Sequence, residues 1–264
     1  MFWIHSLNKF QEALHKCSSL ESLVLTSSEG HPKLTDSKSE DTSCNINSFS
    51  IKENPGKPLI DMIFSSCTFP SLNELQIERM REYNLTYQWP SGAFISLISR
   101  SSCVITTFSI RGISISASDL IAALHVMPSL LSLEVEDGEW HYNCPVNQHQ
   151  SPINSVFITR LAHRAQSSAI LVPKLHSLHL LSYRMTSDAD CGFDLSFIDM
   201  VESRWFRPGS DLFAAMSTVG RGCIRSVEMK FARRNIDPVI YKPLRVLDEE
   251  GLRVVVSGMD TVVI

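Results

Sequence analysis

The 264-residue sequence lacks several features that would place it in a familiar functional class. It has no apolar run of about 18 residues, so no transmembrane helix and no membrane partner are predicted. Its first ten residues lack a basic segment followed by a long apolar core, so no signal peptide is expected. Charges of both signs are interspersed and the net charge is −4, which argues against a basic surface for nucleic acid.

The seven cysteines are scattered along the chain and never form a C-x-x-C pair. A disulfide framework or a zinc knuckle would show paired spacing. The sequence therefore predicts free, mostly buried thiols in a reducing compartment, cytoplasmic or nuclear. His141, Cys144 and His149 share one stretch, but no fourth ligand accompanies them, so no metal site is predicted.

Motifs of catalysis are also missing. Gly209–Asp211 departs from a nucleophile elbow, and Gly220–Gly222 departs from a phosphate-binding loop. No nucleophile stands at a recognisable spacing from a base. Lys230, Arg233 and Arg234 form a short basic cluster, which is interpreted as a solvated turn. We therefore predict no enzymatic activity and no cofactor.

One apolar pattern recurs along the chain, with three apolar residues spaced as L-x-x-L-x-L. It occurs seven times, and consecutive copies begin 26, 26, 33, 25, 45 and 49 residues apart. Three of these spacings fall within the period of about 20–29 residues that is typical of leucine-rich repeats. The apolar triplets are Leu20/Leu23/Leu25, Ile46/Phe49/Ile51, Leu72/Leu75/Ile77, Ile105/Phe108/Ile110, Leu130/Leu133/Val135, Leu175/Leu178/Leu180 and Ile224/Val227/Met229.

Three copies share a lead-in, in which an apolar residue, a proline and a small or polar residue precede the first leucine. The lead-ins are Phe69–Ser71, Met127–Ser129 and Val172–Lys174. A proline at this place ends a preceding helix and favours extended geometry in the residue before it. The shared lead-in makes the repeat more specific than apolar spacing alone.

Segments with helical punctuation lie between the repeated strands. Pro58 suits a first helical turn, Ser91 is a candidate N-cap, and either Ser116 or Ser118 caps the next segment. Helices are predicted at 7–17, 58–64, 91–100, 116–127, 151–164, 194–205 and 242–251, and a last strand at 252–256. Because helix and strand alternate, the sheet is predicted to be parallel.

The predicted fold class is α/β, as a leucine-rich-repeat solenoid with irregular repeats. A curved parallel sheet would form the concave face, and helices would form the convex face. One domain is predicted over residues 1–264, with polar loops near 27–45 and 136–152. Three residues after the last apolar residue of each triplet, asparagine stands only at Asn54. We therefore expect no asparagine ladder.

Residues between the apolar positions point outward from the strands. In the third to seventh copies they form the predicted concave binding face, whose acidic middle fits a protein with a basic or polar surface. A merely solvated strand surface is the alternative interpretation. The predicted partner-binding residues are Glu74, Gln76, Glu78, Arg111, Glu134, Glu136, His179, Glu228 and Lys230, with Thr107, Ser109, Ser132, Ser177, Leu181 and Ser226 between them.

The segments FPSLNELQI, MPSLLSLEV and VPKLHSLHLL, followed by FIDMVESRW and IRSVEMKF, resemble the leucine-rich-repeat region of fungal F-box proteins. The resemblance covers roughly residues 15–264. It implies the substrate-recognition part of an SCF-type ubiquitin ligase subunit, in which the repeats bind the protein to be ubiquitinated. No F-box is seen in this chain, so the cullin-RING adaptor is an expected partner only if an F-box lies upstream.

Two other classes remain as alternatives. One is a stand-alone leucine-rich-repeat scaffold with no ubiquitin link, which in-frame sequence upstream of Met1 would distinguish from the ligase subunit. The other is a small hydrolase or a Rossmann-like enzyme. A doubly wound sheet with a deep polar pocket at its strand ends would favour that enzyme.

Overall fold

The computed structural model describes residues 20–26, 42–53, 59–79, 89–138, 151–163, 170–183, 185, 191–207, 209–211, 218, 222–260 and 262. Over these residues the chain forms ten strands and six helices. The chain divides into two compact units, Met1–Ser114 and Ile115–Ile264. The helix predicted at 7–17 and most of both predicted loops lie outside the described residues. The single domain over residues 1–264 stays a prediction.

Four parallel strands of the first unit are hydrogen-bonded in chain order. They are β1 (Ser22–Thr26), β3 (Ser48–Glu53), β5 (Glu74–Arg79) and β6 (Thr107–Arg111). Helix α1 (Leu59–Ser66) follows β3, and α2 (Ser91–Ser101) follows β5 and contacts α1. Two-residue strands β2 (Thr42–Ser43) and β4 (Cys67–Thr68) pair in parallel. Strand β2 lies within the stretch near 27–45 that is predicted to be a polar loop.

The second unit repeats the arrangement with four more parallel strands, again in chain order. These are β7 (Ser132–Glu136), β8 (Ser177–Ser182), β9 (Ser226–Phe231) and β10 (Arg253–Ser257). Its helices are α3 (Ala117–His125), α4 (Ser155–Leu161), α5 (Cys191–Arg204) and α6 (Lys242–Glu249). Each helix contacts the next one along the chain. The predicted α/β class with parallel strands is thus confirmed.

The strand register aligns the repeated apolar residues of the second unit. Leu133, Leu178 and Val227 are consecutive partners across β7, β8 and β9. Val135, Leu180 and Met229 form the next row, and all six side chains are at most 1% exposed. Val254 and Val256 of β10 continue the two rows. Strand β10 corresponds to the last strand predicted from the sequence, at 252–256. The apolar triplets therefore form continuous buried rows.

The first unit has equivalent rows. Phe49, Leu75 and Phe108 are consecutive partners, and Ile51 is aligned with Ile77 in the next row. All of these side chains are buried. In both units the first apolar residue of each triplet precedes the strand by two residues, as the three-then-two spacing predicts.

Main-chain hydrogen bonds recur at equivalent residues of consecutive copies. The Asn47 carbonyl accepts from the N–H groups of Asn73 and Glu74, at 2.9 and 3.0 Å. In the second unit the His176 carbonyl accepts from Arg225 and Ser226 in the same way, at 2.7 and 3.1 Å. The accepting residue directly follows the first apolar residue in each copy. The copies therefore share backbone geometry as well as apolar spacing.

The three proline lead-ins form the same turn. The N–H groups of Leu72, Leu130 and Leu175 donate to the carbonyls of Phe69, Met127 and Val172, at 3.2, 3.1 and 3.2 Å. Proline occupies the second position of each turn, which its fixed φ favours. Helices α1 and α3 end shortly before two of these turns. The prediction that the lead-in separates helix from strand is confirmed at both.

Some helix ends differ from the predictions. Ser116 does cap α3, since its hydroxyl accepts from the Asp119 N–H at 3.0 Å. Ser91 is not an N-cap: Pro90 holds that place and makes no side-chain hydrogen bond to the helix. Helix α5 begins at Cys191, three residues earlier than predicted.

Helix α4 begins at Ser155, four residues later than the prediction of 151. Asn154 is its N-cap, and the Asn154 side chain accepts from the Phe157 N–H at 3.0 Å. The Ser151 hydroxyl instead donates to Asp137 at 2.6 Å. The Ser151 oxygen also accepts from the Ile153 N–H at 3.1 Å, so Ser151 organises the turn before α4 and does not begin the helix.

Candidate functional site

The predicted partner-binding residues lie on the strand face opposite the buried apolar rows. Glu134, Glu136, His179, Glu228 and Lys230 lie on β7, β8 and β9 of the second unit, all partly or fully exposed. We call the outward residues of these strands the second polar face. Its members are Ser132, Glu134, Glu136, Ser177, His179, Leu181, Ser226, Glu228 and Lys230.

The outward residues of the first unit form a separate surface, the first polar face. Glu74, Gln76 and Glu78 lie on β5, and Arg111 ends β6 directly beside Glu78 in the register. Lys52 of β3 forms an ion pair with Glu78 at 3.1 Å, and the Gln76 amide donates to Glu74 at 2.9 Å. The glutamates expected to attract a basic partner therefore already form an ion pair or a hydrogen bond with neighbours within the unit.

The middle row of the second polar face joins three strands through one imidazole. Nδ1 of His179 lies 3.1 Å from a Glu134 carboxylate oxygen, and Nε2 lies 3.7 Å from a Glu228 oxygen. The register sets this arrangement, because His179 is the direct partner of Glu134 on one side and Glu228 on the other. Three predicted residues are thus brought together in one row.

Two further rows flank this middle row. Ser132, Ser177 and Ser226 are aligned across the beginning of the strands, and their half-buried hydroxyl groups can both donate and accept hydrogen bonds. At the other end Leu181 lies between Glu136 and Lys230 in the register. The second polar face therefore has uncharged hydroxyl groups where the strands begin and charged groups of both signs where they end.

Asp137, directly after β7, is a buried anchor that sequence reasoning missed. Its carboxylate accepts from the hydroxyls of Ser151 and Ser182, at 2.6 and 2.7 Å, and from the Tyr183 N–H at 2.6 Å. Because Ser151 lies 14 residues further along, this bond brings both ends of the intervening segment together. The alternation that points Leu133 and Val135 inward also points Asp137 inward, and that signal could have identified it.

Arg204, in the MVESRW segment, joins the end of one helix to a lead-in turn. Its buried guanidinium donates to the carbonyls of Leu161, Leu171 and Val172. Leu161 ends α4, where carbonyls lack partners within the helix. Burial lowers the pKa of Arg204 to about 10. Arg204 therefore holds the end of α4 against the lead-in turn, which is a structural role.

Arg234 corrects the interpretation of the basic cluster as a solvated turn. It is 1% exposed and forms a buried ion pair with Asp194, which also accepts from the Tyr241 hydroxyl at 2.6 Å. Its guanidinium carbon lies 3.9 Å from the centre of the Phe231 ring. Burial and the bond to Asp194 raise the pKa of Tyr241. Arg234 therefore stabilises the interior and is not accessible to a ligand, whereas Lys230 is exposed.

A shallow cavity of about 230 Å³, including space open to solvent, lies in the second unit. It is lined by His163, Ile170, Pro173, Arg204, Phe206 and Gly222. Pockets for drug-sized ligands occupy roughly 300–1,000 Å³ and enclose most of the ligand. This cavity is too small and open for such a substrate.

The described residues contain no group of three histidine, cysteine, aspartate or glutamate side chains placed to hold a metal ion. His141, Cys144 and His149 lie outside them. None of the helices in the described ranges is both long and apolar enough to cross a membrane. Comparisons with protein-family models, curated proteins and solved structures found no match.

Proposed function

We propose that this chain is a leucine-rich-repeat module that binds a protein partner through its polar strand faces. The observation that carries the proposal is the register. Equivalent residues of consecutive copies lie side by side in rows, with the apolar rows buried and the polar rows exposed. Stacked repeats of this kind present an extended surface of rigidly spaced side chains, which suits recognition of another protein.

The partner would have a basic or polar surface. Glutamates recur on both polar faces, at Glu74 and Glu78 in the first unit and at Glu134, Glu136 and Glu228 in the second. A complementary surface would gain association rate and specificity from these charges. The pairs within each face mean that the partner exchanges existing contacts for new ones.

Binding without catalysis is the better-supported class. The described strands of each unit follow chain order, whereas a doubly wound enzyme reverses strand order where it binds its ligand. We therefore favour a binding module over the hydrolase or Rossmann-like alternative.

The finer proposal is the substrate-recognition part of an F-box-type SCF ubiquitin ligase subunit. It rests on the resemblance of the FPSLNELQI, MPSLLSLEV, VPKLHSLHLL and MVESRW segments to that family. Affinity purification of the gene product with any upstream coding sequence tests it. Recovery of a cullin-RING adaptor supports the ligase subunit. Recovery of partners without the adaptor favours the stand-alone scaffold.

Site-specific photocrosslinking tests whether the polar face binds. A benzophenone amino acid is placed at Ser226 on the second polar face or, as a control, at Glu202 on the exposed side of α5. We expect cellular proteins to crosslink to position 226 and not to position 202. Equal crosslinking from both positions would contradict binding through the polar face.

A further inference from the structure

The contacts of His179 depend on how many protons the imidazole carries. A neutral imidazole has one N–H group, so it can donate a hydrogen bond to only one of its two carboxylate neighbours. An imidazolium has two N–H groups and can face Glu134 and Glu228 as a donor on both sides. Two carboxylates within 4 Å favour the charged ring.

The described neighbours on the second polar face lie one row away from His179 along the strands. On β8 itself the neighbours on the same face are Ser177 and Leu181, which do not titrate in the neutral range. Glu136 of β7 and Lys230 of β9 flank Leu181 one row away and have opposite charges. Arg253 of β10 is aligned with the serine row.

His176 behaves differently from His179 although it is only three residues away. It precedes β8, and its carbonyl accepts the main-chain bonds of Arg225 and Ser226. Burial and the nearby Arg225 lower its pKa. Folding therefore favours the neutral form of the His176 ring.

We propose that His179 is a pH-dependent clamp that holds β7 and β9 together across β8. In its charged form the ring bridges Glu134 and Glu228, and the three groups have a net charge of −1. When the ring loses its proton, it can donate to only one of the two carboxylates, and the net charge of the three groups becomes −2. The bridge across β8 is thus lost as pH rises through the titration of His179.

The clamp has a consequence for binding that rests on the proposed function. A lysine or arginine of a partner competes with the His179 proton for the same two carboxylates. A contact of this kind at the middle row would therefore strengthen as pH rises. The clamp itself is a property of the isolated chain and is tested without a partner.

The direct test is a pH titration of ¹³C-labelled histidine followed by NMR. Replacing either carboxylate, in Glu134→Gln or Glu228→Gln, should lower the titration midpoint of His179 by about half a pH unit or more. Glu202→Gln on α5 is the matched control and should leave it unchanged. The exposed His125 supplies a reference signal in every spectrum. A His179 midpoint that stays constant in both carboxylate variants overturns the proposal.

A second measurement follows the stability of the whole chain. The proposed bridge needs the charged ring, so its stabilising effect is present at low pH and is lost as pH rises through the titration of His179. His179→Gln should therefore lower Tm by about 1–4 °C more at pH 5.5 than at pH 8.5. His125→Gln is the control. A Tm difference that does not depend on pH overturns the clamp, whereas failure to crosslink a partner affects only the proposed function.

Discussion

Buried ionised side chains in the second unit are held by three different kinds of partner. Asp137 accepts hydrogen bonds from hydroxyl and main-chain donors, and Arg204 donates to three carbonyls. Arg234 combines an ion pair with a ring contact. An isolated buried charge is strongly unfavourable, so each partner set is needed for the fold to accommodate its charge.

Asp194→Ala is predicted to destabilise the chain by about 3–5 kcal/mol, because it leaves the guanidinium of Arg234 buried without its counter-charge. The double variant Asp194→Leu/Arg234→Met removes both charges and should recover most of that loss. Urea unfolding measures both. A double variant that is no more stable than Asp194→Ala would contradict the assignment of the loss to an unpaired charge.

His176→Gln is predicted to reduce the sensitivity of the chain to acid. Burial and Arg225 lower the pKa of His176 in the folded state, so the unfolded chain binds a proton more readily. Stability is therefore lost as pH falls from about 6.5 through the folded-state pKa. Between pH 7 and pH 5 the variant should lose less Tm than the unchanged protein. A larger loss in the variant would contradict the direction of the shift.

These residue roles differ in how far the sequence could predict them. The inward position of Asp137 follows from the alternation along β7, although its partners do not. Arg234 looks solvated in sequence because it adjoins Arg233, and its counter-ion Asp194 is 40 residues away. Only the packing of α5 against the segment after β9 brings the two side chains together.

At the scale of the elements, the strands follow from the apolar triplets and the helix ends do not. Each triplet specifies which residues are buried and where the backbone becomes extended, so the strand positions can be inferred locally. A helix start depends on which polar side chain is free to act as a cap. Ser151 has the right chemistry, but its oxygen accepts from the Ile153 N–H in the turn before the helix, and Asn154 caps α4.

A pair of leucine variants tests the apolar rows. Leu133→Asp places a carboxylate in a fully buried row between strands and is expected to unfold the second unit. Leu131→Asp is the matched control, since Leu131 is 36% exposed and lies two residues away. Circular dichroism and thermal unfolding compare them. A folded Leu133→Asp protein with unchanged Tm would contradict the repeat assignment.

At the scale of the molecule, the sequence predicts which residues face outward but not which of them pair. Alternation along each strand separates the polar and apolar faces. The row of Glu134, His179 and Glu228 depends on register between strands that are remote in sequence, with Glu134 and His179 45 residues apart. The three residues hold the same position in consecutive copies of the repeat, so their pairing requires neighbouring copies to stack in register, which one copy alone does not show.

The central claim is that the second polar face binds a protein partner, and charge reversal tests it most directly. Glu134→Lys/Glu136→Lys is compared with Asp199→Lys/Glu202→Lys, which reverses two exposed charges on α5. Partners purified with each variant are quantified by mass spectrometry, and Tm confirms that both variants fold. The account predicts that the β7 variant loses partners that the α5 variant retains. An unchanged set of partners in a folded β7 variant would contradict it.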